Sequence, residues 1–459
     1  MVGAGPNGLA AAADIAVTGR SVLVLEARET IGGGCRTAEL TAPGFLHDVC
    51  SAIHPLAVAS PCFRELGLDV DWIEPRVALS HPLDGRPAVL LTRSIEDTAA
   101  GLEQDEDAYR RLARRWTNGV DDLFRLMAGD ARALRRTDAL ARMGLDALRS
   151  VDRIPVGGKP ARALLAGTAA HSILPLDRTP TAGVALVLAA LAHTTGWPVA
   201  RGGSSAITDA LAGIVRDAGG EIRTEAPVRS VRDVPAHRAL VLDLTPRQLL
   251  RVDGLQFPTR YERALRRYRY GPGACKVDYA LSGPVPWTDA GSGRAGTVHL
   301  GGTFEEIAAA EAAVWRGEHP EHPFVIVAQQ TLSDPTRAPA GSHTLWAYTH
   351  VPNGSTVDMT AAIERQIERF APGFRELVIS KRARTAADLE GDNENDVGGD
   401  INGGVLDLRQ LWTRPSARIS PHTTPVPGVF LASASTPPGG GVHGLCGHSA
   451  ARAVLRYLG

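Results

Sequence analysis

The glycine spacing of "GAGPNG", the apolar run "SVLVLEA" that ends in an acid, and a second helix-then-strand segment at "SSAITDALAGIVRDAGGEIRTEAPVRSV" predict an α/β fold. More closely, they predict a Rossmann-type nucleotide-binding domain that is discontinuous in sequence, with an α+β domain inserted into it. Only Met1 and Val2 precede Gly3, so the strand that should present the glycine loop is reduced to two residues. That strand is central in such sheets, and unpaired backbone groups on its neighbours are costly. Residual pairing at Met1 and Val2 is therefore expected. A late-called start or a trimmed terminus would account for the short strand, and restoring apolar residues there is expected to tighten cofactor binding.

The elements follow in order. Leu9, Ala12, Ala13 and Ala16 fall on one helical face, and Gly19 ends that helix. "SVLVLEA" reads as a buried parallel strand closed by Glu26, 18 residues after Gly8, near the spacing of a ribose-binding acid. The stretch from Asp105 to Val151 carries Arg, Ala and Leu at helical spacing, and Ala182–Ala192 reads as a buried helix. Ser204 or Ser205 is placed to cap a helix with Ile207, Leu211, Ile214 and Val215 inward. "RALVLDLTP" resumes the nucleotide-binding sheet, while "CKVDYAL", "FVIVAQQTL" and "HTLWAYT" read as strands of the other domain. "DMTAAIERQIERFAPG" is a capped amphipathic helix with Ile363, Ile367 and Phe370 inward, closed by Pro372 and Gly373. Residues 1–75, 196–250 and 395–459 are assigned to the nucleotide-binding domain, and 76–195 and 251–394 to the substrate domain.

Composition excludes several classes. With 459 residues, 44% of them hydrophobic and 22% charged, the chain has the makeup of a folded globular protein of two to three domains. Fifty acidic residues against 49 basic ones leave a net charge of -1, so no global field recruits nucleic acid or anionic lipid. The apolar run Ala182–Ala192 falls short of the roughly 20 residues a membrane span needs. No secretory leader opens the sequence, which favours a cytoplasmic setting and leaves only peripheral membrane contact open. The five cysteines, Cys35, Cys50, Cys62, Cys275 and Cys446, form no C-x-x-C pair, which argues against disulfides, zinc and a dithiol redox centre. "DNENDVGGD" imitates a calcium loop but has Val397 where the sixth-position glycine belongs, and His443 and His448 lack the H-E-x-x-H pattern. No metal is assigned, so redox chemistry here must come from an organic cofactor.

Four stretches in order make the reading specific: "VGAGPNGLAAA", "VLVLEARETIGGGCRTAEL", "ARGGSSAITDALAGIVRDAGGEIRTEAPV" and "TPVPGVFLASASTPPGGGVHGLCGHSAA". In this order the chain resembles the FAD-dependent phytoene-dehydrogenase-like oxidoreductases, and most nearly the group called pyridine nucleotide-disulfide oxidoreductase domain-containing protein 2. The resemblance spans essentially the whole chain and implies FAD. Gly3, Gly5 and Gly8, with Pro6 and Asn7 between them, let the backbone approach a pyrophosphate at a helix N-terminus. Glu26, followed by Ala27 and Arg28, is expected to accept hydrogen bonds from the adenosine ribose. Gly33, Gly34, Cys35 and Arg36 lie where related flavoproteins place a second loop, with Gly34 where amine oxidases usually have Arg. Val228 marks a strand whose backbone binds adenine, and the short segment after it leaves the adenine edge open. Ser435, Gly441, Val442 and His443 shape a turn before a last helix expected to begin near Val442, its amides facing the flavin.

The resemblance implies hydride transfer from a carbon of an apolar small molecule, terpenoid or lipid-like, to FAD. His54, Lys276 and His443 are the candidate catalytic side chains, since each accompanies a motif near the expected flavin face. Two rival readings stand beside this one: a non-catalytic scaffold that keeps the flavoprotein fold, and a flavin amine oxidase.

Overall fold

The computed structural model describes residues 1–130, 132–133 and 137–459. Residues 131 and 134–136, part of the predicted helical stretch 105–151, lie outside the described residues; the rest of it holds helices Glu106–Thr117, Val120–Met127 and Thr137–Ala147.

Met1 and Val2 do form the missing strand. Val2 bridges Leu25 on one side and Leu242 on the other, both in parallel. Its N–H donates to Val241 O at 2.9 Å, the Gly3 N–H to Leu25 O at 2.9 Å, and the Leu25 N–H to Met1 O at 2.9 Å. The result is one parallel sheet in the order Glu221–Arg223, Leu23–Leu25, Val2, Leu240–Leu242, Val429–Leu431. The regular strands are three residues each, shorter than the apolar runs that signalled them. Its outer members come from sequence segments some two hundred residues apart, as the discontinuous domain requires.

The helix Pro6–Ala16 leaves the glycine loop with proline in its first turn, where the missing N–H has no intrahelical acceptor to lose. Its alanines are almost wholly buried, so backbones approach closely. Against it lies the final helix, Leu445–Leu458. At Gly447 a Cβ would stand 1.9 Å from the Asn7 carbonyl oxygen, a separation only glycine permits.

A second, seven-stranded sheet runs in the order Val378–Arg384, Gly273–Leu281, His343–Val351, Val325–Ala328, Ala295–Leu300, Val77–Leu83, Arg86–Leu91. All pairs are antiparallel except Ala295–Leu300 with Val77–Leu83. Alternation along these strands decides which side chains face which layer. Cys275, Val277, Tyr279 and Leu281 turn toward the helix Thr360–Phe370, joining Ile363, Ile367 and Phe370 in a core of their own. The intervening Lys276 and Asp278 face the opposite side, in register with Tyr348 and Trp346. This second face looks toward the parallel sheet, and the cleft lies between them.

A buried ion cluster ties Asp48 and Ala200 to the turn at 334–337. Arg337, wholly buried, donates to Asp48 Oδ2 at 3.1 Å, Asp334 Oδ2 at 2.9 Å and Ala200 O at 3.0 Å. Asp48 in turn accepts the Ser204 N–H at 2.7 Å. The expected capping by Ser204 or Ser205 is not what forms: Ser204 holds the N-cap position of helix Ser205–Asp217 without a side-chain cap. Its hydroxyl donates instead to Ser51 O at 2.6 Å and meets His54 Nε2 at 2.8 Å. Tertiary partners outbid the local one because the helix start is buried against the 48–54 segment. No helix among the described residues is long and apolar enough to cross a membrane.

Candidate active site

The cleft has a volume of ≈ 440 Å³ and two chemically different ends. At one end two glycine loops meet. A Cβ on Gly33 would lie 3.1 Å from Gly5 Cα, so neither loop has room for a side chain there. The N–H groups of Gly5, Asn7, Gly33 and Gly34 have no protein acceptor among the described residues, and all four residues line the cleft. Converging free amides at a helix N-terminus are what a pyrophosphate needs. The residues present therefore fit a dinucleotide, and Pro6, which also lines this end, fixes the entry of the helix behind them.

Glu26 closes the neighbouring strand. Its carboxylate accepts the Ala4 N–H at 2.8 Å and the Arg28 N–H at 3.0 Å, which holds it at the cleft wall beside Ala27. Arg28 also lines the cleft and donates to Gly391 O at 2.5 Å. Arg36 lines the cleft with its Nε on Gly33 O at 2.9 Å and a terminal nitrogen on Asp392 O at 3.2 Å. Cys35 also lines it, and burial pushes its thiol well above the ordinary range, so it stays protonated. Val228 lies on the wall in an irregular segment beyond the strand Glu221–Arg223, next to the exposed Arg229. Gly8 stands one layer behind the loop, its N–H directed to Asp243.

Asp243 is a residue the motifs did not flag. It follows the strand Leu240–Leu242 and accepts the Gly8 N–H on Oδ2 at 2.9 Å. Cβ atoms added at Gly3, Gly5 or Gly8 would come within 3.1, 3.2 and 3.1 Å of its side chain, so the loop is moulded around this carboxyl. Burial raises it to about 7, opposed by the Gly8 N–H and reinforced by the charge of Glu26. The folded protein therefore holds a proton that the unfolded chain releases near pH 4, and stability falls as pH rises from about 4 to 7. Asp243→Asn keeps an oxygen for Gly8 and removes the charge. Urea unfolding is expected to show this variant more stable than the parent at pH 8, by on the order of 3 kcal/mol, with the gain gone at pH 4. A gain that does not change with pH contradicts the assignment.

The other end is apolar. Its floor is the cleft-side face of the large sheet, where Trp346 and Tyr348 stand across from Ala328 and Ile326, with Thr297 on the next strand. Ile53, Leu56, Ile173, Leu188 and Trp197 complete the walls. Every carboxylate lining the cleft, Glu26, Asp243, Asp392, Glu394 and Asp396, belongs to the strand ends and loop around the glycine end. The stretch "DNENDVGGD" thus forms the lip of the cleft. Asn395 secures it by donating to Asp243 O at 2.9 Å and accepting the Thr245 N–H at 2.8 Å.

The three side chains singled out as catalytic sit behind these walls. His54 is buried with its ring tilted against Trp72, and burial drives it down to about 4, leaving it neutral near pH 7. Lys276 is ion-paired with Asp278 below Trp346, its ammonium 5.4 Å from the indole centroid; burial lowers it to about 8. His443 is buried and accepts the Leu445 N–H on Nδ1 at 3.0 Å, so it takes up the first N–H of the final helix, whose N-cap is Gly444. That helix starts at Leu445, three residues later than expected. Gly439, Gly441 and Gly444 have φ of +118°, +120° and +66°, which keep the preceding turn out of helical geometry. Gly441 and Val442 nonetheless reach the cleft, whereas Ser435 lies behind it with its hydroxyl on Gly403 O at 2.8 Å.

A parallel sheet whose unpartnered loop amides face an apolar pocket across one cleft fits a flavin-type oxidoreductase. Residues 1–66 match the NAD(P)-binding Rossmann-like domain family. The chain is homologous over its whole length to pyridine nucleotide-disulfide oxidoreductase domain-containing protein 2 of Mus musculus, at 26% identity and covering 93% of that protein. It is likewise 25% identical to the phytoene desaturase (neurosporene-forming) of Rhodobacter capsulatus, over 97% of this chain and 91% of that one. A variant of putrescine oxidase with redesigned cofactor binding shares the fold, with a TM-score of 0.62 at 17% identity over 100% of this chain and 97% of that chain.

Proposed function

We propose that this chain is an FAD-dependent dehydrogenase or desaturase that takes a hydride from an apolar molecule of the terpenoid or lipid kind. The observation that carries the reading is the two-ended cleft: free backbone amides and Glu26 at one end, an aromatic and aliphatic pocket at the other. Gly5, Asn7, Gly33 and Gly34 would hold the pyrophosphate and Glu26 the adenosine ribose. Bound FAD supplies the hydride acceptor. The chain's own part is to hold the substrate and exclude water: Trp346, Tyr348, Ile326 and Leu188 offer apolar contact, and the fixed positions of these strands orient what binds there. No carboxylate lines the apolar end among the described residues, so an ammonium ion finds no counter-charge there, which favours an apolar substrate over a charged amine.

Purified protein is expected to be yellow, or to take up added FAD with a rise in melting temperature. Anaerobic bleaching of the bound flavin is then followed with polyenes, apolar alcohols and amines. Bleaching by polyenes or alcohols supports the reading. Bleaching by amines alone favours the amine oxidase. A protein that stays colourless and is not stabilised by FAD is a scaffold.

A further inference from the structure

Three side chains of metal-ligand type meet outside the cleft, on helices far apart in sequence. Asp14 comes from Pro6–Ala16, Cys62 from Pro61–Glu65 and His448 from Leu445–Leu458. A carboxylate oxygen, the sulfur and a ring nitrogen all lie within 4.8 Å of one another. The spacing of His443 and His448 announces no metal, because the fold and not the local sequence joins positions 14, 62 and 448. None of the three lines the cleft.

The state of each group points to a cation. His448 Nδ1 donates to Asp14 Oδ2 at 2.8 Å, and the carboxylate takes no other hydrogen bond among the described residues. Cys62 takes none at all, although it is wholly buried. Burial first, then the negative charges of Asp14 and Glu65, push its thiol well above the ordinary range, and no cation is among those causes. A dry, unpartnered sulfur beside a carboxylate and an imidazole is the mixed donor set that suits zinc. Bonds of about 2.0–2.3 Å to a tetrahedral ion set such atoms about 3.3–3.6 Å apart, so small side-chain rotations close the set.

The helices are held in place by contacts of their own. Gly447 seats the last helix on Asn7, Ser60 Oγ donates to His443 O at 2.6 Å, and a Cβ on Gly444 would stand 2.5 Å from a Phe63 ring carbon. The segment bearing Cys62 is thus fastened to the start of the helix bearing His448, and the site is built before an ion arrives.

We propose that Asp14, Cys62 and His448 bind one divalent ion of the zinc kind, with water in the fourth position, and that the ion clamps helix Pro61–Glu65 to the two helices behind the nucleotide loop. Charge balances, since thiolate and carboxylate offset the ion's two positive charges around a neutral imidazole. On binding, the Cys62 S–H bond gives way to a sulfur–metal bond and its proton leaves to solvent. The His448 proton shifts to the ring nitrogen that does not ligate. The inference does not rest on the flavoenzyme reading.

Cobalt(II) is the probe, because its d–d bands lie to the red of flavin absorption and a thiolate ligand adds a charge-transfer band. Full-length protein freed of metal by a chelator is titrated with cobalt chloride and then zinc chloride. One equivalent of cobalt is expected to give both features, and one equivalent of zinc to bleach them, binding at about 1 μM or tighter. Cys62→Ser is expected to remove the charge-transfer band, and Asp14→Asn and His448→Gln to weaken zinc at least about tenfold. Cys446→Ser is the control, since its hydroxyl can keep the bonds that the thiol makes to Thr436 O and Gly439 O. A parent protein with no thiolate–cobalt band, a band that survives Cys62→Ser, or zinc affinity unchanged in Asp14→Asn and His448→Gln overturns the site. Where Cys62→Ser does not fold, the parent's band and the variant at the half-buried Asp14 decide it.

Discussion

Gly8→Ala is expected to give a folded but colourless protein. The new Cβ would stand 2.2 Å from Gly3 O, well inside contact distance, and 3.1 Å from Asp243 Oδ2. Neither neighbour is the free end of a flexible side chain: Gly3 is fixed by its hydrogen bond to Leu25, and Asp243 by the Gly8 N–H. The loop has to move, and the free amides of Gly5 and Asn7 move with it. A loss of about 3 kcal/mol, or roughly a hundredfold in FAD affinity, is the expected size, since overpacking at a rigid site costs that much. Flavin fluorescence quenching during reconstitution measures it. Gly213→Ala is the control, because a Cβ there meets nothing within 4 Å and the residue sits inside helix Ser205–Asp217. A Gly8→Ala protein that binds FAD as tightly as the parent would show that the loop does not grip the cofactor.

Arg337→Met is expected to destabilise the fold by about 3–5 kcal/mol, because it strands Asp48 and Asp334 as buried charges rather than because the ion pairs are strong in themselves. Both carboxylates are wholly buried, as is the guanidinium that neutralises them. The distinction is testable. Adding Asp48→Asn and Asp334→Asn to Arg337→Met is expected to recover part of the loss, as judged by urea midpoints. A single variant that costs less than about 1 kcal/mol would remove the cluster from any account of how the 48 and 334–337 segments are held together.

The parts of this protein that its sequence exposes are those written locally. The glycine loop, the acid at Glu26 and the helix between them lie within one βα unit, so spacing alone relates them. Even the two-residue strand at Met1 and Val2 was legible, since unpaired neighbours would cost too much. The floor of the cleft was not: Trp346, Ile326 and Thr297 come from three strands whose pairing no short-range pattern announces. Alternation in "HTLWAYT" does put Trp346 and Tyr348 on one face, but not which face meets the cofactor. Asp243 carried a weak signal, an acid immediately after a buried strand. His54 and His443 stood near the right motifs and are turned into the walls, where His54 meets Ser204 and His443 holds the final helix. Proximity in sequence to a motif does not fix the direction of a side chain.

The parallel sheet has a consequence for how the protein comes into being. Val2 is synthesised roughly four hundred residues before Val429–Leu431 and the helix seated on Asn7 through Gly447. At about 5–20 residues per second that is an interval of tens of seconds, in which the nucleotide loop has neither its edge strand nor its backing helix. The nucleotide loop is complete only once Val429–Leu431 and Leu445–Leu458 have been made, so a dinucleotide is expected to load after these segments are in place.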